Sequence, residues 1–284
     1  MIREQEWVAE KWEDVETHYR IKSTLYEGNS EYQHMKVVDS CLYGRMFLLD
    51  GIVQTTEKDE FIYHEMMSHI PLLSHPAPES VLIIGGGDGG ILREVLRYRS
   101  VKQAAIVEID SHVINICKEY LPMINNGAFK DKRAEVVIAD GARFVKETTA
   151  KYDVVIVDSS DPVGPATVLF SREFYSDIHN ILSDSGIMVC QTGSLHMQPD
   201  EQRDSYTLLK DSFHIVRPYL FAVPTYVGGF FSAMFCSDKI DPCKTEISSI
   251  EKKIALAGIK TGYYNPGMHL SVFTLPGFLN EHLL

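Results

Sequence analysis

From about residue 76 onward the chain alternates short apolar runs with amphipathic ones. The apolar runs predict strands at 81–84, 104–109, 135–139, 153–158 and 187–192. Apolar positions at helical spacing predict helices at 89–98, 111–120, 141–148, 171–182 and 199–212. Strands alternating with helices in this way imply a doubly wound parallel sheet. Two further extended runs (219–226 and 229–236) and a helical stretch (244–257) follow. Upstream, residues up to about 57 read as short strands, and Asp50-Gly51 between two extended runs is a strong hairpin signal. Lys58 to Leu73 reads as a helix, with Asp59 and Glu60 in the first turn where the helix dipole favours acids, before His75-Pro-Ala-Pro-Glu79 breaks it. The expected organisation is a small N-terminal β domain over 1–57, a connecting helix over 58–75, and a Rossmann-like catalytic domain over 76–284.

In an open α/β sheet the ligand sits beyond the carboxyl ends of the strands, so the residues there carry the chemistry. The first such strand, Val81-Leu-Ile-Ile, stops at Gly85-Gly-Gly-Asp-Gly-Gly90. Gly85, Gly87 and Gly90 have the G-x-G-x-x-G spacing of nucleotide sites, where glycine lets backbone approach a ligand. The second strand ends at Glu108, 18 residues after Gly90, about where an acid receives ribose hydroxyls. The third ends at Asp140-Gly141, the fourth at Asp158-Ser-Ser-Asp161, and the fifth at Gln191-Thr-Gly193. Any one of these acids alone is equally explained as a cap for the following helix. Four in succession beside a glycine loop point to a shared nucleotide site. Asp88 then narrows the ligand, because a carboxylate in that loop repels a pyrophosphate and also the α-carboxylate of S-adenosylmethionine. A sulfonium nucleoside with an amine and no carboxylate suits it, as in decarboxylated S-adenosylmethionine.

Composition narrows the choice further. The 284 residues carry 27 basic and 39 acidic side chains, a net charge of −12 that disfavours nucleic acid as a partner. Five scattered cysteines without a CxxC pair argue against a disulfide framework or zinc ribbon, and Cys117, Cys190 and Cys236 read as core residues. With no apolar signal core or membrane-length run, a cytoplasmic protein without membrane contact is expected.

Beyond these local signals, the ordered motifs closely resemble the spermidine synthase (polyamine aminopropyltransferase) family. They are Asp50-Gly-Ile-Val-Gln-Thr-Thr-Glu-Lys-Asp-Glu-Phe-Ile-Tyr-His-Glu-Met66, the glycine loop, Val107-Glu-Ile-Asp110, Asp158-Ser-Ser-Asp-Pro-Val-Gly-Pro165, Pro224-Thr-Tyr226 and Tyr263-Tyr-Asn-Pro266. The resemblance spans nearly the whole chain and implies a methyltransferase-type sheet. It also implies no permanently bound cofactor and decarboxylated S-adenosylmethionine as co-substrate. By the same resemblance Gln33, Gln54, Gly85, Gly87, Asp88, Glu108, Asp140, Gly141 and Pro165 bind that co-substrate, with Glu108 at the ribose, Asp140 and Gly141 at the adenine and Asp88 at the aminopropyl amine. Tyr63, His64, Asp88, Asp158, Asp161, Gln191 and Tyr226 line the acceptor-amine channel, residues 159–170 form a mobile gate, and Trp7 is a candidate wall. Gly193 departs from family members that carry glutamate there, which bears on the far end of the acceptor. The N-terminal β domain resembles one that pairs subunits, so a homodimer or homotetramer is expected.

The implied reaction moves an aminopropyl group from sulfonium to an amine. A primary alkylammonium has a pKa of roughly 10, so the acceptor must lose a proton to attack. Asp158 is the candidate base, with Tyr63 and Tyr226 orienting the nitrogen and Asp161 holding the cationic acceptor. Putrescine is the default acceptor; cadaverine, agmatine and spermidine remain open. Rival readings are a methyltransferase, an NAD-dependent oxidoreductase and a non-catalytic polyamine-binding protein. No metal is expected: His64-Glu-Met-Met-Ser-His69 is one residue out of register for H-E-x-x-H. Ser159 and Ser160 lack a G-x-S-x-G elbow.

Overall fold

The computed structural model describes residues 6–161 and 164–279, the Pro165 side chain excepted. The chain opens with five antiparallel strands in sequential order: β1 (Glu6–Lys11), β2 (Glu16–Asn29), β3 (His34–Ser40), β4 (Gly44–Leu49) and β5 (Ile52–Thr56). The last two form the expected hairpin. Asp50 and Gly51 both take positive φ (48° and 85°), which matches the twist a two-residue hairpin needs. At 14 residues, β2 is far longer than the short strands its mixed polar sequence suggests. Its burial alternates along the strand, so one face packs while the other stays polar.

Helix α1 (Glu60–Ser74) follows, and every residue from Ile62 to Ser74 is buried. A helix covered all round has no solvent face, so its polar residues must find partners inside. Glu65 does so by accepting the backbone N–H groups of Gly262, Tyr263 and Tyr264 at 2.7–2.9 Å, which ties the Tyr263-Tyr-Asn-Pro266 segment to the helix. That segment is therefore scaffold.

The second sheet is built from β6 (Ser80–Gly85), α2 (Gly90–Leu96), β7 (Gln103–Glu108), α3 (Ser111–Tyr120), the one-turn α4 (Pro122–Asn125), β8 (Ala134–Ile138), α5 (Gly141–Glu147), β9 (Tyr152–Asp158), α6 (Arg172–Ile181), β10 (Leu182–Ser194), α7 (Pro199–Lys210), β11 (Ile215–Ala222) and β12 (Phe230–Ser237). Helices α8 (Ile247–Ala257) and α9 (Pro266–Ser271) follow. The strand order is β11-β12-β10-β9-β6-β7-β8. β6 to β10 are mutually parallel and β12 runs antiparallel between β10 and β11. The expected doubly wound, methyltransferase-type sheet is thus present, with one reversed strand. The run expected at 219–226 begins earlier, at Ile215, because Arg217-Pro218 masks the strand in the sequence. Proline is tolerated there since β11 is an edge.

Side chains alternate across this sheet. Val81, Ile83, Ala104 and Ile106 pack with α1 and α2 on one face. Leu82, Ile84, Ala105 and Val155 pack with α5 and α6 on the other. The N-terminal sheet docks through Met35, Val37 and Phe47 onto Val113, Ile116 and Cys117 of α3. All five cysteines are free, with Cys117, Cys190 and Cys236 buried. Among the described residues no helix is long and apolar enough to cross a membrane. The strand order reverses between β6 and β9, whose ends are in register at Gly85 and Asp158. This switch point is where a ligand is expected.

Candidate active site

A cavity of about 550 Å³ opens at this switch point. It is lined by Gln33, Gly85, Gly87, Glu108, Asp140 and Gly141 and by Gln54, Tyr63, His64, Asp88, Asp158 and Asp161, with Gln191 and Tyr226. Fourteen of the fifteen site residues expected from sequence therefore share one cavity. The fifteenth, Pro165, has its side chain outside the described residues, while Gly164 and Ala166 beside it line the cavity.

The glycine loop is demanded as much by the protein as by a ligand. Gly86 N–H donates to the Asp158 carbonyl at 3.1 Å, which draws β6 and β9 together. At Gly85 (φ 80°) a Cβ would collide with that same carbonyl, and at Gly90 it would collide with the His64 ring. Asp88 is anchored from two sides. Its Oδ1 accepts from Gly90 N–H at 2.8 Å, and its Oδ2 lies 3.2 Å from His64 Nε2.

At the end of β7, Glu108 Oε1 accepts from Asp110 N–H at 2.9 Å. Burial pushes the Glu108 carboxyl up to about 7, with the Asp110 and Asp158 charges adding to the effect. Asp140 both lines the cavity and caps α5, accepting from Arg143 N–H at 3.1 Å. Its capping and binding readings are compatible. The cap of α3 is not Glu108 but Asp110, which accepts from His112 N–H at 2.9 Å. Asp110 Oδ2 also accepts from Ser30 Oγ (2.6 Å) and Gln33 Nε2 (3.1 Å), so it positions the Gln33 amide at the cavity wall. Sequence reading passed over Asp110 because it lies one residue beyond a strand already credited with Glu108; an Asp directly before a helix was the available signal.

At the end of β9, Tyr63 Oη donates to Asp158 Oδ1 at 2.5 Å. Burial raises the Asp158 carboxyl to about 6, helped by the Asp88 charge and opposed by the Tyr63 hydrogen bond and by His64. Asp161 is also raised by burial. Tyr226 Oη donates to the Gln54 carbonyl at 2.8 Å. The Gln191 amide is held by backbone: its Nε2 donates to the Ser159 carbonyl at 3.0 Å and its Oε1 accepts from Gly193 N–H at 2.8 Å.

Trp7 does not wall this cavity. It is 51% exposed on β1, and Trp12, just past that strand, lines the cavity with Glu10 and Gln198. Alternation along an extended strand puts positions of opposite parity on opposite faces, and Trp7 and Trp12 differ in parity. Glu10 is 1% exposed and accepts from Val53 N–H (3.1 Å) and Tyr19 Oη (3.2 Å). Nothing in the sequence distinguished Glu10, a lone acid in a polar strand. The histidines of the false zinc motif are engaged separately. His64 sits between Glu60 and Asp88, and His69 Nδ1 meets Tyr98 Oη at 2.8 Å.

Residues 60–246 match the spermine/spermidine synthase domain, and residues 6–57 match the spermidine synthase tetramerisation domain. The chain belongs to the spermine/spermidine synthase family. It is 44% identical to a polyamine aminopropyltransferase of Ruegeria sp. (strain TM1040), over 97% of each chain. It is likewise 44% identical to one from Caldicellulosiruptor bescii, over 92% of each. Spermidine synthase from Thermotoga maritima superposes with a TM-score of 0.93 at 38% identity, covering 99% of this chain and 95% of that one. A spermidine synthase solved in complex with the transition-state analogue AdoDATO superposes at 0.95, again at 38% identity, covering 99% and 96%. The family and the fold expected from the motifs are both borne out.

Proposed function

We propose that this chain is a spermidine synthase, which transfers the aminopropyl group of decarboxylated S-adenosylmethionine to putrescine, giving spermidine and 5′-methylthioadenosine. The observation that carries the reading is the pairing of two half-buried carboxylates, Asp88 and Asp158, at adjacent strand ends, with Glu108 on the next strand. Glu108 takes the ribose hydroxyls, with Gln33 beside it, while Asp140 and Gly141 meet the adenine. Gln54 and the neighbourhood of Pro165 complete the donor site. Asp88 takes the ammonium of the aminopropyl group, and a donor bearing an α-carboxylate is repelled there.

The acceptor lies between Tyr63, Tyr226, Asp158 and Asp161. Asp158 accepts a proton from the attacking nitrogen. The nitrogen lone pair forms the new C–N bond, the C–S bond breaks, and its electrons return to sulfur as a neutral thioether. Sulfonium leaves without protonation, so the protein's task is to deprotonate, align and exclude water. Asp161 attracts the second ammonium, with Glu10, Trp12 and Gln198 beyond it. Backbone holds Gln191 through one amide proton and one carbonyl lone pair, which leaves a second of each for the acceptor channel. The gate expected over residues 159–170 covers the bound substrates, and Gly164, Ala166, Val168 and Leu169 within it line the cavity.

The unit over 1–57 acts as an assembly module and 76–284 as the catalytic domain, joined by the 58–75 helix, with the protein working as a homodimer or homotetramer. No permanently bound cofactor takes part. Free thiols and a small-molecule reaction suit the cytoplasm. Product analysis by mass spectrometry with decarboxylated S-adenosylmethionine and putrescine, cadaverine, agmatine or spermidine tests the reading. It predicts methylthioadenosine and spermidine with putrescine preferred; no methylthioadenosine with any amine overturns it.

A further inference from the structure

His64 is buried, with its side chain 3% exposed, and both ring nitrogens face carboxylates. Nδ1 lies 2.5 Å from Glu60 Oε2, and Nε2 lies 3.2 Å from Asp88 Oδ2. An ionised carboxylate only accepts hydrogen bonds, so satisfying both requires both nitrogens to donate, which is the imidazolium form. Glu60 is itself held ionised. Arg93 reaches it with two nitrogens, Nη1 to Oε1 at 2.8 Å and Nη2 to Oε2 at 3.0 Å. Arg93 is fixed in turn by the Ile124 carbonyl and by Glu94 Oε1. A chain of alternating charges thus runs from α2 through α1 to the wall of the cavity. Neither Glu60 nor Arg93 lines the cavity. The fit is tight, since Gly90 has no room for a Cβ against the His64 ring.

We propose that His64 is a fixed cation, locked by Glu60 and Arg93, whose charge keeps Asp88 and Asp158 ionised side by side in the cavity. Two carboxylates sharing a site poorly exposed to water disfavour each other's ionisation, and a nearby cation relieves that. The groups facing the ring are Glu60 and Tyr63 from α1, Asp88 from the glycine loop and, electrostatically, Asp158 from β9; Arg93 from α2 acts through Glu60. Tyr63 meets the ring edge-on, with centroids 5.6 Å apart, and donates to Asp158, so it adds no charge of its own. Burial alone would lower the His64 pKa, but Asp88 and Glu60 raise it to about 10. Burial would raise Asp88, but His64 holds it below its ordinary value. His64 in turn lowers Asp158. His64 is therefore a positioning residue acting on the carboxylates, and its imidazole is neither a base nor a ligand for the cationic acceptor.

Two measurements on the full chain test this. The first uses no turnover: ¹⁵N NMR of the imidazole at pH 8.5 is expected to show both His64 nitrogens protonated in the wild type. Glu60→Gln is expected to lower the titration midpoint by about a unit or more. A neutral single tautomer in the wild type at that pH overturns the proposal. The second rests on the aminopropyl-transfer reading: the pH profile of kcat/KM for His64→Asn, with decarboxylated S-adenosylmethionine and putrescine. The acid limb is expected to move up by about one unit, a loss of about fivefold at pH 6 that shrinks to within about twofold by pH 9. A loss equal at every pH is what a merely structural role gives, and it overturns the proposal. A wild type that makes no methylthioadenosine refutes the reading, while the NMR result still decides the charge on His64.

Discussion

Glu108 offers a test in which affinity and pH dependence must change together. The residue is 9% exposed and burial pushes its carboxyl up to about 7, so at neutral pH the empty site is divided between protonated and ionised forms. Two ribose hydroxyls donating to it favour the ionised form, so binding a nucleoside expels a proton. Affinity for 5′-methylthioadenosine is then flat above pH 8 and falls about tenfold per unit below pH 7, about 30-fold weaker by pH 5.5. Glu108→Gln keeps one acceptor and loses one charge-assisted bond worth about 2 kcal/mol, which is about 30-fold in Kd at pH 8. The variant also loses the pH dependence. Isothermal titration of methylthioadenosine from pH 5.5 to 8.5, in buffers of different ionisation enthalpy, reads affinity and proton release together. Wild-type affinity equal at both ends of that range, or a Gln variant that keeps the slope, refutes the assignment of Glu108 to the ribose.

The remaining predictions concern other parts of the site and its frame. Asp158→Asn is expected to cut turnover by about 10²–10⁴, with methylthioadenosine affinity within a few-fold of wild type; near-normal turnover removes Asp158 as the base. Gly90→Ala forces a Cβ onto the His64 ring. It is expected to cost about 1–3 kcal/mol in urea unfolding and to lower activity, whereas an unchanged midpoint and rate would mean the ring yields freely. Glu201, whose Oε1 is buried without a hydrogen-bond partner among the described residues, is raised to about 8 by burial and by Asp161. A folded-state pKa above the unfolded value of 4.5 means stability is fully present below pH 4.5 and lost as pH rises through about 8. Glu201→Gln should therefore match wild type in urea midpoint at pH 4.5 and exceed it at pH 8; equal midpoints at both values contradict this.

The order of elements was legible because apolar runs and glycine breaks follow the strand and helix periods closely in the parallel half of the chain. The cavity was legible because an open α/β sheet gathers its strand ends, so acids far apart in sequence, Asp88 and Asp158, meet at one switch point. What sequence did not reveal was which partner each side chain chooses. The glycine loop was read as room for a ligand, yet Gly85 and Gly90 also make room for the Asp158 backbone and the His64 ring. His64 was read as an acceptor contact, though Glu60 and Arg93, four residues before it and on the next helix, claim it. Gln191 was read as a ligand group, and the Ser159 and Gly193 backbone that orients its amide was not foreseen. Trp7 was read as the wall and Trp12 was not considered, because strand parity is invisible until the strand's end is fixed. Each of these depends on pairings between elements, which local periodicity does not encode.

The central claim is that an acidic glycine loop selects a sulfonium donor without a carboxylate and that the group moved is aminopropyl. The direct measurement is a competition in which the protein, with putrescine, receives equal concentrations of decarboxylated S-adenosylmethionine and S-adenosylmethionine. Both nucleoside products are followed by liquid chromatography and mass spectrometry. The account predicts methylthioadenosine in step with spermidine and no S-adenosylhomocysteine; S-adenosylhomocysteine as the main product, with a methylated amine, would contradict it.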